Sequence, residues 1–171
     1  MLKKIIAAMF SVSSLTFALG GIPASYALIP ASYALIPDDA VEVGGLQPGN
    51  TLEYMESIYG QPVLEKVQPC NLPAFSKYTY KYGDTVSIFS VGGKAIVNIT
   101  TTANNGWGTP AGVTVGMDKS VLHDIYGKED TSFRRDGILY YTYFVYPSGM
   151  RGLSFGTKNN KIVSITAYMD Q

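Results

Sequence analysis

Two stretches of the chain place apolar residues at the spacing of an α-helix. In the first, Leu52, Met55 and Tyr59 fall on one face, because residues three, four and seven apart lie close together on a helix. In the second, Leu122 and Ile125 repeat the arrangement, with another apolar residue beside them. Both predicted helices are short, about ten residues at most, so each must pack on another surface to be stable.

The ends of these two helices carry further signals. Asn50 or Thr51 can cap the first helix, because a side-chain oxygen there can accept a free backbone N–H of the first turn. Asp118 can do the same for the second helix. Gly60 and Gly127 follow the last turns, and glycine readily adopts the left-handed conformation that ends a helix. Both predicted helices therefore have defined starts and stops.

The remaining apolar residues alternate with polar ones, as in half-buried strands. Tyr78, Tyr80 and Tyr82 alternate with lysine and threonine, and this period of two buries one face of a strand and exposes the other. The pair Gly92-Gly93 is typical of a tight hairpin turn. The pattern predicts strands over residues 76–82, 85–91, 94–102, 138–146, 151–157 and 161–168, with a further candidate at 63–67.

The chain also carries an internal repeat. Residues 45–60 and 112–127 match at an offset of about 67 residues, with glycine at the first, fifth and last position of each. The sequence therefore predicts an α+β fold of two tandem repeats, residues 45–103 and 112–171. Each repeat is expected to pack a short helical segment on an antiparallel meander of three or four strands, and the two sheets can join into one curved sheet. A loop at 104–111, rich in Asn, Gly and Pro, links the repeats.

The N-terminal segment has the layout of a secretory signal peptide. Two lysines precede an apolar run that ends in small residues, which is the order of an export signal. We expect cleavage after Ala27 or Ala34, because the string ASYALIP occurs twice in succession there. A retained membrane anchor is the alternative, although the run is short and interrupted for a spanning helix. Residues 1–27 are thus the predicted signal peptide, and 28–44 are an extended lead-in.

The cysteine content argues against a lipid anchor. The chain has one cysteine, Cys70, far downstream of the apolar run. One cysteine cannot close a disulfide within the chain or build a cysteine-rich metal site. Cys70 is either a small apolar packing residue or a point of pairing with another chain. We therefore expect an exported protein, periplasmic or extracellular, with no stable membrane anchor after signal cleavage.

Charge and composition argue against several functions. The formal net charge is zero and lysine and arginine form no cluster, so nucleic acid is not an expected partner. The only histidine, His123, has no second histidine or cysteine near it in the sequence, which favours a surface or half-buried helix residue. Carboxylates are scattered, and no set of residues with the spacing of a catalytic site is apparent. We expect a protein that is not an enzyme and has no cofactor or metal.

The helix, its glycine stop and the strand motifs together resemble a known superfamily. The helix is followed by YG, and each meander ends in a strand with lysine followed by spaced isoleucines. This combination resembles the outer-membrane assembly lipoproteins of the BamE/SmpA type. Two units in tandem look more like the β-lactamase inhibitory protein (BLIP-like) superfamily, in which two joined sheets form one curved surface that grips a partner protein. The resemblance covers residues 45–171.

The chain departs from these families in two respects. The lipid-modified cysteine of the lipoproteins is absent, and a single cysteine rules out the internal disulfides of the inhibitor. The resemblance therefore implies a sheet surface that binds a protein, in envelope assembly or in an inhibitor-like role. It does not imply membrane anchoring or similar loops.

One face of the predicted sheet is expected to be open to a partner. Positions shared by the two repeats should face the helices: Tyr78, Tyr80, Tyr82, Tyr141, Tyr143, Phe89, Phe155, Val97, Ile99, Val163 and Ile165. The opposite face then carries Lys77, Thr79, Lys81, Tyr140, Thr142, Phe144, Tyr146 and Tyr168. An aromatic patch on an open face commonly marks an interaction site. The alternative is that these residues cover a second layer or a dimer contact.

Trp107 lies in the predicted joining loop. It is either a plug between the two halves or an exposed residue that adds to the binding face. Together these features predict a secreted or periplasmic protein-binding module that uses the open face of its sheet. A module for cell-wall glycans is the alternative, since tyrosine rings also suit sugar rings, and a hydrolase is a weaker one. The sequence leaves the partner and the oligomeric state open.

Overall fold

A computed structural model describes residues 36–145 and 150–170, which belong to one compact unit. Its helices and strands are α1 (Leu52–Tyr59), β1 (Val63–Gln68), β2 (Lys77–Tyr82), β3 (Val86–Val91), β4 (Ala95–Thr101), α2 (Ser120–Tyr126), β5 (Thr131–Arg135), β6 (Ile138–Phe144), β7 (Arg151–Lys158) and β8 (Lys161–Met169). Short 3-10 segments occur at Asp38–Ala40 and Pro73–Phe75. The predicted signal peptide, both cleavage positions, residues 28–35 of the lead-in and Tyr146 lie outside the described residues. No helix in the described ranges has the length and apolar character needed to cross a membrane.

The eight strands form one antiparallel sheet in the order β1-β2-β3-β4-β8-β7-β6-β5. β4 and β8 pair at its centre, with Asn98 opposite Tyr168 and Thr101 opposite Ile165. The predicted fold of two repeats, each a helix on its own meander, is therefore wrong. The strands belong to a single sheet, and the helices beside it have only eight and seven residues. Pairing β4 with β8 satisfies backbone N–H and C=O groups that two separate meanders would leave exposed at an edge.

The helix starts follow the capping signals in part. The Thr51 hydroxyl accepts a hydrogen bond from the Tyr54 backbone N–H at 3.1 Å, so Thr51 is the cap of α1. Asn50 instead accepts a hydrogen bond from the backbone of the preceding turn. At α2, the Asp118 carboxylate accepts the Ser120 backbone N–H at 3.0 Å, and this bond lowers the pKa of Asp118. A glycine with positive φ follows each helix, as expected.

Both helices pack aromatic side chains on the same face of the sheet, which we call the helix side. Tyr59 of α1 lies 5.7 Å from the Tyr82 ring. Tyr126 of α2 lies 5.3 Å from the rings of both Tyr143 and Phe155. The burial predicted for Tyr143, Phe155, Ile99 and Ile165 is confirmed, because each is at most 1% exposed. Ile125 is 44% exposed, so its predicted place on the buried face of α2 is wrong, and Tyr126 is buried there instead.

Two residues expected on the helix side, Phe89 and Val97, line the opposite face, which we call the open face. β3 alternates without interruption, with Val86, Ile88 and Ser90 buried, so Phe89 faces the open side and the fully buried Ile88 takes the core position assigned to it. In β4, Ile96 pairs with Ser90 and Asn98 pairs with Phe89, which leaves Val97 as an extra residue. This shift of one residue moves the Val97 side chain to the open face.

The segment before α1 is part of the core. Val43 and Leu46 are fully buried in the same cluster as the apolar residues of the sheet. Arg151 on β7 fixes this segment, since its guanidinium donates hydrogen bonds to the two carboxylate oxygens of Asp38 at 2.9 and 2.8 Å. It also donates to the Pro48 carbonyl at 3.0 Å. The described part of the predicted lead-in, residues 36–44, is thus hydrogen-bonded to a strand in the second half of the sheet.

Candidate binding groove

The open face of the sheet forms a groove with a volume of about 970 Å³. Phe75, which lies just before β2, and Lys77, the first residue of β2, line the groove on one side. Phe133 and Arg135 of β5 line it on the other. These residues come from near the two ends of the strand order, so the sheet curls around the groove. The pairing of β4 with β8 makes the groove floor continuous across both halves.

A row of hydroxyl side chains crosses the open face, one from each of six neighbouring strands. In strand order the row is Thr131, Thr142, Ser154, Thr166, Thr100 and Ser87. The hydroxyl oxygens of Thr100 and Thr166 lie 3.0 Å apart, and those of Thr142 and Ser154 lie 3.4 Å apart, so each pair shares a hydrogen bond. Lys81 continues the row onto β2. We call these seven residues the hydroxyl row.

An aromatic row runs parallel to it, two residues away along each strand. In strand order it consists of Phe144, Gly152, Tyr168, Asn98, Phe89 and Thr79. The rings of Phe144 and Tyr168 meet edge to face, with centroids 6.5 Å apart and an interplanar angle of 85°. Aromatic pairs favour this geometry because the positive edge of one ring meets the negative face of the other. The row therefore presents large rings to one side of the hydroxyls.

A stacked aromatic pair lies on the other side of the hydroxyl row. The rings of Phe133 on β5 and Tyr140 on β6 are 5.0 Å apart and nearly parallel, at 11°. A Cβ atom at Gly156 would come within 3.1 Å of the Tyr140 ring, and one at Gly152 would lie 2.8 Å from the Tyr168 hydroxyl. Because these two positions of β7 carry no side chain, the rings of Tyr140 and Tyr168 have room to lie across the strand.

The Tyr168 hydroxyl is buried at the groove floor. Its oxygen has no hydrogen-bond partner among the described residues. Burial raises the pKa of Tyr168 well above its ordinary value, and the carboxylates of Asp170 and Asp130 raise it further. Since a raised pKa favours the protonated form, this phenol stays neutral at physiological pH.

The charges along the groove are mostly positive. Lys77 and Arg135 both line it, and within the described ranges neither forms an ion pair. Lys81 is paired with Glu65 at 3.6 Å. Asp170 is the acidic residue of the lining. The two unpaired cations are thus available to a ligand with negative charge.

The structure brings most of the predicted binding residues together on the open face. Thr79, Phe144 and Tyr168 lie in the aromatic row, Lys81 and Thr142 lie in the hydroxyl row, and Lys77 and Tyr140 lie beside them. Tyr146 is outside the described residues. Sequence reasoning missed Phe75, Phe89, Phe133 and most of the hydroxyl row. The alternation within each strand could have suggested these residues, but their alignment depends on the pairing register between strands.

Trp107 does not belong to this face. It is buried on the helix side, where its ring stacks on Tyr59 with centroids 4.3 Å apart. The backbone of Gly44 passes so close that a Cβ atom there would lie 2.6 Å from the Trp107 ring. Trp107 is therefore a core plug, which was one of the two sequence alternatives, and its assignment to the binding face is wrong.

Rings, hydroxyls and cations line the groove, and neither His123 nor Cys70 is among its lining residues. His123 is exposed on α2 and lines a small depression on the helix side with Glu129. Cys70 is exposed in the loop after β1. Among the described residues, no group of three or more histidine, cysteine or acidic side chains could hold a metal ion. Rings, hydroxyls and two cations are what the groove offers to a ligand.

Comparison with known proteins gives weak likenesses. No family model matches the chain, and no curated protein matches its sequence. An extracellular protein containing an SCP domain from Bacillus anthracis is 14% identical with a TM-score of 0.45, over 73% of this chain and 44% of that one, so the chain spans less than half its length. YjgB, a DUF4309 family protein from Bacillus subtilis, is 14% identical with a TM-score of 0.41, over 71% and 79% of the two chains. The uncharacterized protein yfeY from Escherichia coli is 18% identical with a TM-score of 0.45, over 74% and 95%.

Proposed function

We propose that the protein is an exported, non-catalytic binding module that holds a segment of another protein in the groove on its open face. The observation that carries this proposal is the continuous groove of about 970 Å³ lined by aromatic rings from both halves of the sheet. Tyrosine and phenylalanine are enriched in protein interfaces. Their rings offer a large contact area with few rotatable bonds, so little conformational entropy is lost on binding.

The charges of the groove narrow the kind of segment that would fit. Lys77 and Arg135 carry positive charge without an ion-pair partner among the described residues. Complementary charge across an interface favours the right partner and speeds association. The proposed partner therefore presents an apolar anchor for the rings, together with acidic side chains toward these two cations.

The place of action is proposed from the sequence. The lysine-led apolar run before the repeated ASYALIP string is the layout of an export signal. The resemblance of the sequence motifs to the BamE/SmpA type and to the BLIP-like superfamily supports a role in envelope assembly or as an inhibitor. Both roles are forms of protein binding, and in both the groove would be the surface that contacts the partner.

Two matched variants test the proposal. Phe133 lines the groove and Tyr54 lies on α1, and both side chains are 48% exposed. Partners should be captured from the envelope fraction of the producing cell with each immobilised variant. Phe133→Ala is expected to reduce recovery of a specific partner at least about tenfold, whereas Tyr54→Ala leaves it unchanged. Equal recovery by both variants, or no specific partner with the natural chain, would rule out groove-mediated protein binding.

A glycan-binding module is the second candidate, favoured by one specific feature. The hydroxyl row is flanked by aromatic rings on both sides, and flat rings beside hydrogen-bonding groups suit sugar rings. A pelleting assay with purified cell-wall polysaccharide separates the candidates. Binding that Phe133→Ala abolishes, with no protein captured, would favour the glycan over the protein.

A further inference from the structure

β1 is an edge strand with unusual exposure. It pairs only with β2, and all six of its residues are exposed. Its apolar side chains are Val63, Leu64 and Val67, which are 68%, 51% and 45% exposed. An exposed apolar edge presents unpaired backbone groups and is a ready template for another strand.

A β-bulge gives β1 an internal symmetry. Leu64 lies opposite Tyr80 and Lys66 lies opposite Thr79, so Glu65 and Lys66 together fill one position of the ladder. Leu64 and Val67, which flank this position, both pair with tyrosines of the helix side. Counted from either end of β1, the side chains therefore lie on the two faces of the sheet in the same order.

We propose that β1 pairs antiparallel with β1 of a second copy of this chain, about a two-fold axis at the Glu65–Lys66 position. In this register Leu64 lies opposite Val67 of the second copy, with both side chains on the helix side. Val63 lies opposite Gln68 of the second copy, with both on the open face. A two-fold interface must be self-complementary, and this register satisfies that condition at every position of the strand.

The charges of β1 support the same register. Around the axis, Glu65 of each copy meets Lys66 of the other, and opposite charges facing each other across strands are stabilising. Lys66 forms no ion pair within the described ranges, and Glu65 contacts Lys81 at 3.6 Å. A bulge and a lysine alone would protect an edge from pairing. Here the bulge places Glu65 and Lys66 together at the axis, and Glu65 of one copy neutralises Lys66 of the other.

The other edge of the sheet is a poor site for self-pairing. β5 carries Arg134 and Arg135 and no acidic residue, so two copies would bring four positive charges together. Like charges on facing strands are destabilising. Pairing through β1 also leaves both grooves on the same side of one extended sheet, since a two-fold axis normal to the sheet keeps its faces aligned.

A charge-swap series tests the proposal by sedimentation equilibrium of the full chain. The small contact area predicts a weak dimer. Glu65→Lys and Lys66→Glu alone each place like charges across the axis, and each should weaken association at least about tenfold. The double variant E65K/K66E restores opposite charges and should restore the dimer. Arg134→Glu on β5 is the control and should change nothing.

Three outcomes would overturn the inference. The first is a natural chain that stays monomeric at about 1 mM. The second is a dimer that neither single variant weakens, which would place the interface elsewhere. The third is a double variant as weak as the singles, which would show that the charges do not face each other. Circular dichroism of every variant confirms that the exposed substitutions leave the fold intact.

Discussion

The hydroxyl oxygens of Thr100 on β4 and Thr166 on β8 lie 3.0 Å apart at the seam where the two halves of the sheet meet. Thr100→Val should lower the free energy of unfolding by about 1 kcal/mol, because it leaves the Thr166 hydroxyl without this partner. Urea denaturation measures the loss. Thr79→Val, an open-face threonine with no side-chain hydrogen bond to another described residue, should cost less.

The double variant T100V/T166V tests whether the two hydroxyls stabilise the seam through the bond that they share. Once one hydroxyl is gone the shared bond is already lost, so the second substitution should add less than it does alone. Strictly additive losses would mean that the two hydroxyls do not stabilise the seam together.

Gly44→Ala should destabilise the protein more than Gly45→Ala. Both glycines have positive φ, 63° and 76°, so both substitutions strain the backbone. A Cβ atom at Gly44 would also lie 2.6 Å from the Trp107 ring, whereas none of the described atoms lies within 4 Å of one at Gly45. The difference in free energy of unfolding should be about 2 kcal/mol, the usual cost of overpacking.

The fluorescence of Trp107, the only tryptophan, reports the cause of that difference. It should shift in Gly44→Ala, where the ring is displaced, and stay constant in Gly45→Ala. Equal stability losses with unchanged spectra would contradict the packing of Trp107 on Gly44.

Alkaline pH should destabilise the fold through its buried phenols. Burial is the main cause that raises the pKa of Tyr143, and the Glu129 carboxylate adds to it. The folded state therefore holds this proton more tightly than the unfolded state, whose tyrosine pKa is about 10. The corresponding stability is fully present below about pH 10 and is lost as the pH rises toward the folded value.

Tyr143→Phe should reduce the slope of this loss. Free energies of unfolding measured between pH 9 and about 11.5 would give the slope. Tyr54→Phe, at an exposed tyrosine of α1, is the control and should leave it unchanged. If Tyr143→Phe does not alter the slope, the raised pKa of Tyr143 does not cause the loss of stability at high pH.

Asp38→Asn should loosen the segment that precedes α1. The substitution removes the charge that receives two hydrogen bonds from Arg151. Because Asp38 is largely exposed, the global free energy of unfolding should fall by less than about 1 kcal/mol. Hydrogen exchange at the backbone amides of Val41 and Val43 should nevertheless accelerate, since local opening needs less free energy than global unfolding. Unchanged exchange would show that the ion pair does not hold this segment.

Local patterns in the sequence predicted much of the secondary structure. The alternation around Tyr78, Tyr80 and Tyr82 placed β2, and the glycine stops placed the ends of both helices. β5 was missed because it has one apolar residue, Phe133, and all its side chains are exposed. An edge strand that buries little carries no strong period-two signal.

Pairing between distant strands could not be deduced from the sequence. Recurring motifs suggested two units, yet the contact of β4 with β8 merges all strands into one sheet. The register shift in β4 moved Val97 from the expected core to the groove. The hydroxyl row has the same origin, because Thr100 and Thr166 become neighbours only through the seam. Tyr140, Phe144 and Tyr168 needed only the alternation within their own strands, so they were found.

Site-specific photo-crosslinking tests the central claim most directly. A photo-reactive phenylalanine analogue would replace Phe75 or Phe133, which line opposite sides of the groove, or Tyr54 on α1 as the control, in the cell that produces the protein. The account predicts the same protein partner crosslinked from both Phe75 and Phe133, and none from Tyr54. Different adducts from the two sides, or an adduct from Tyr54 alone, would contradict a single partner held in the groove.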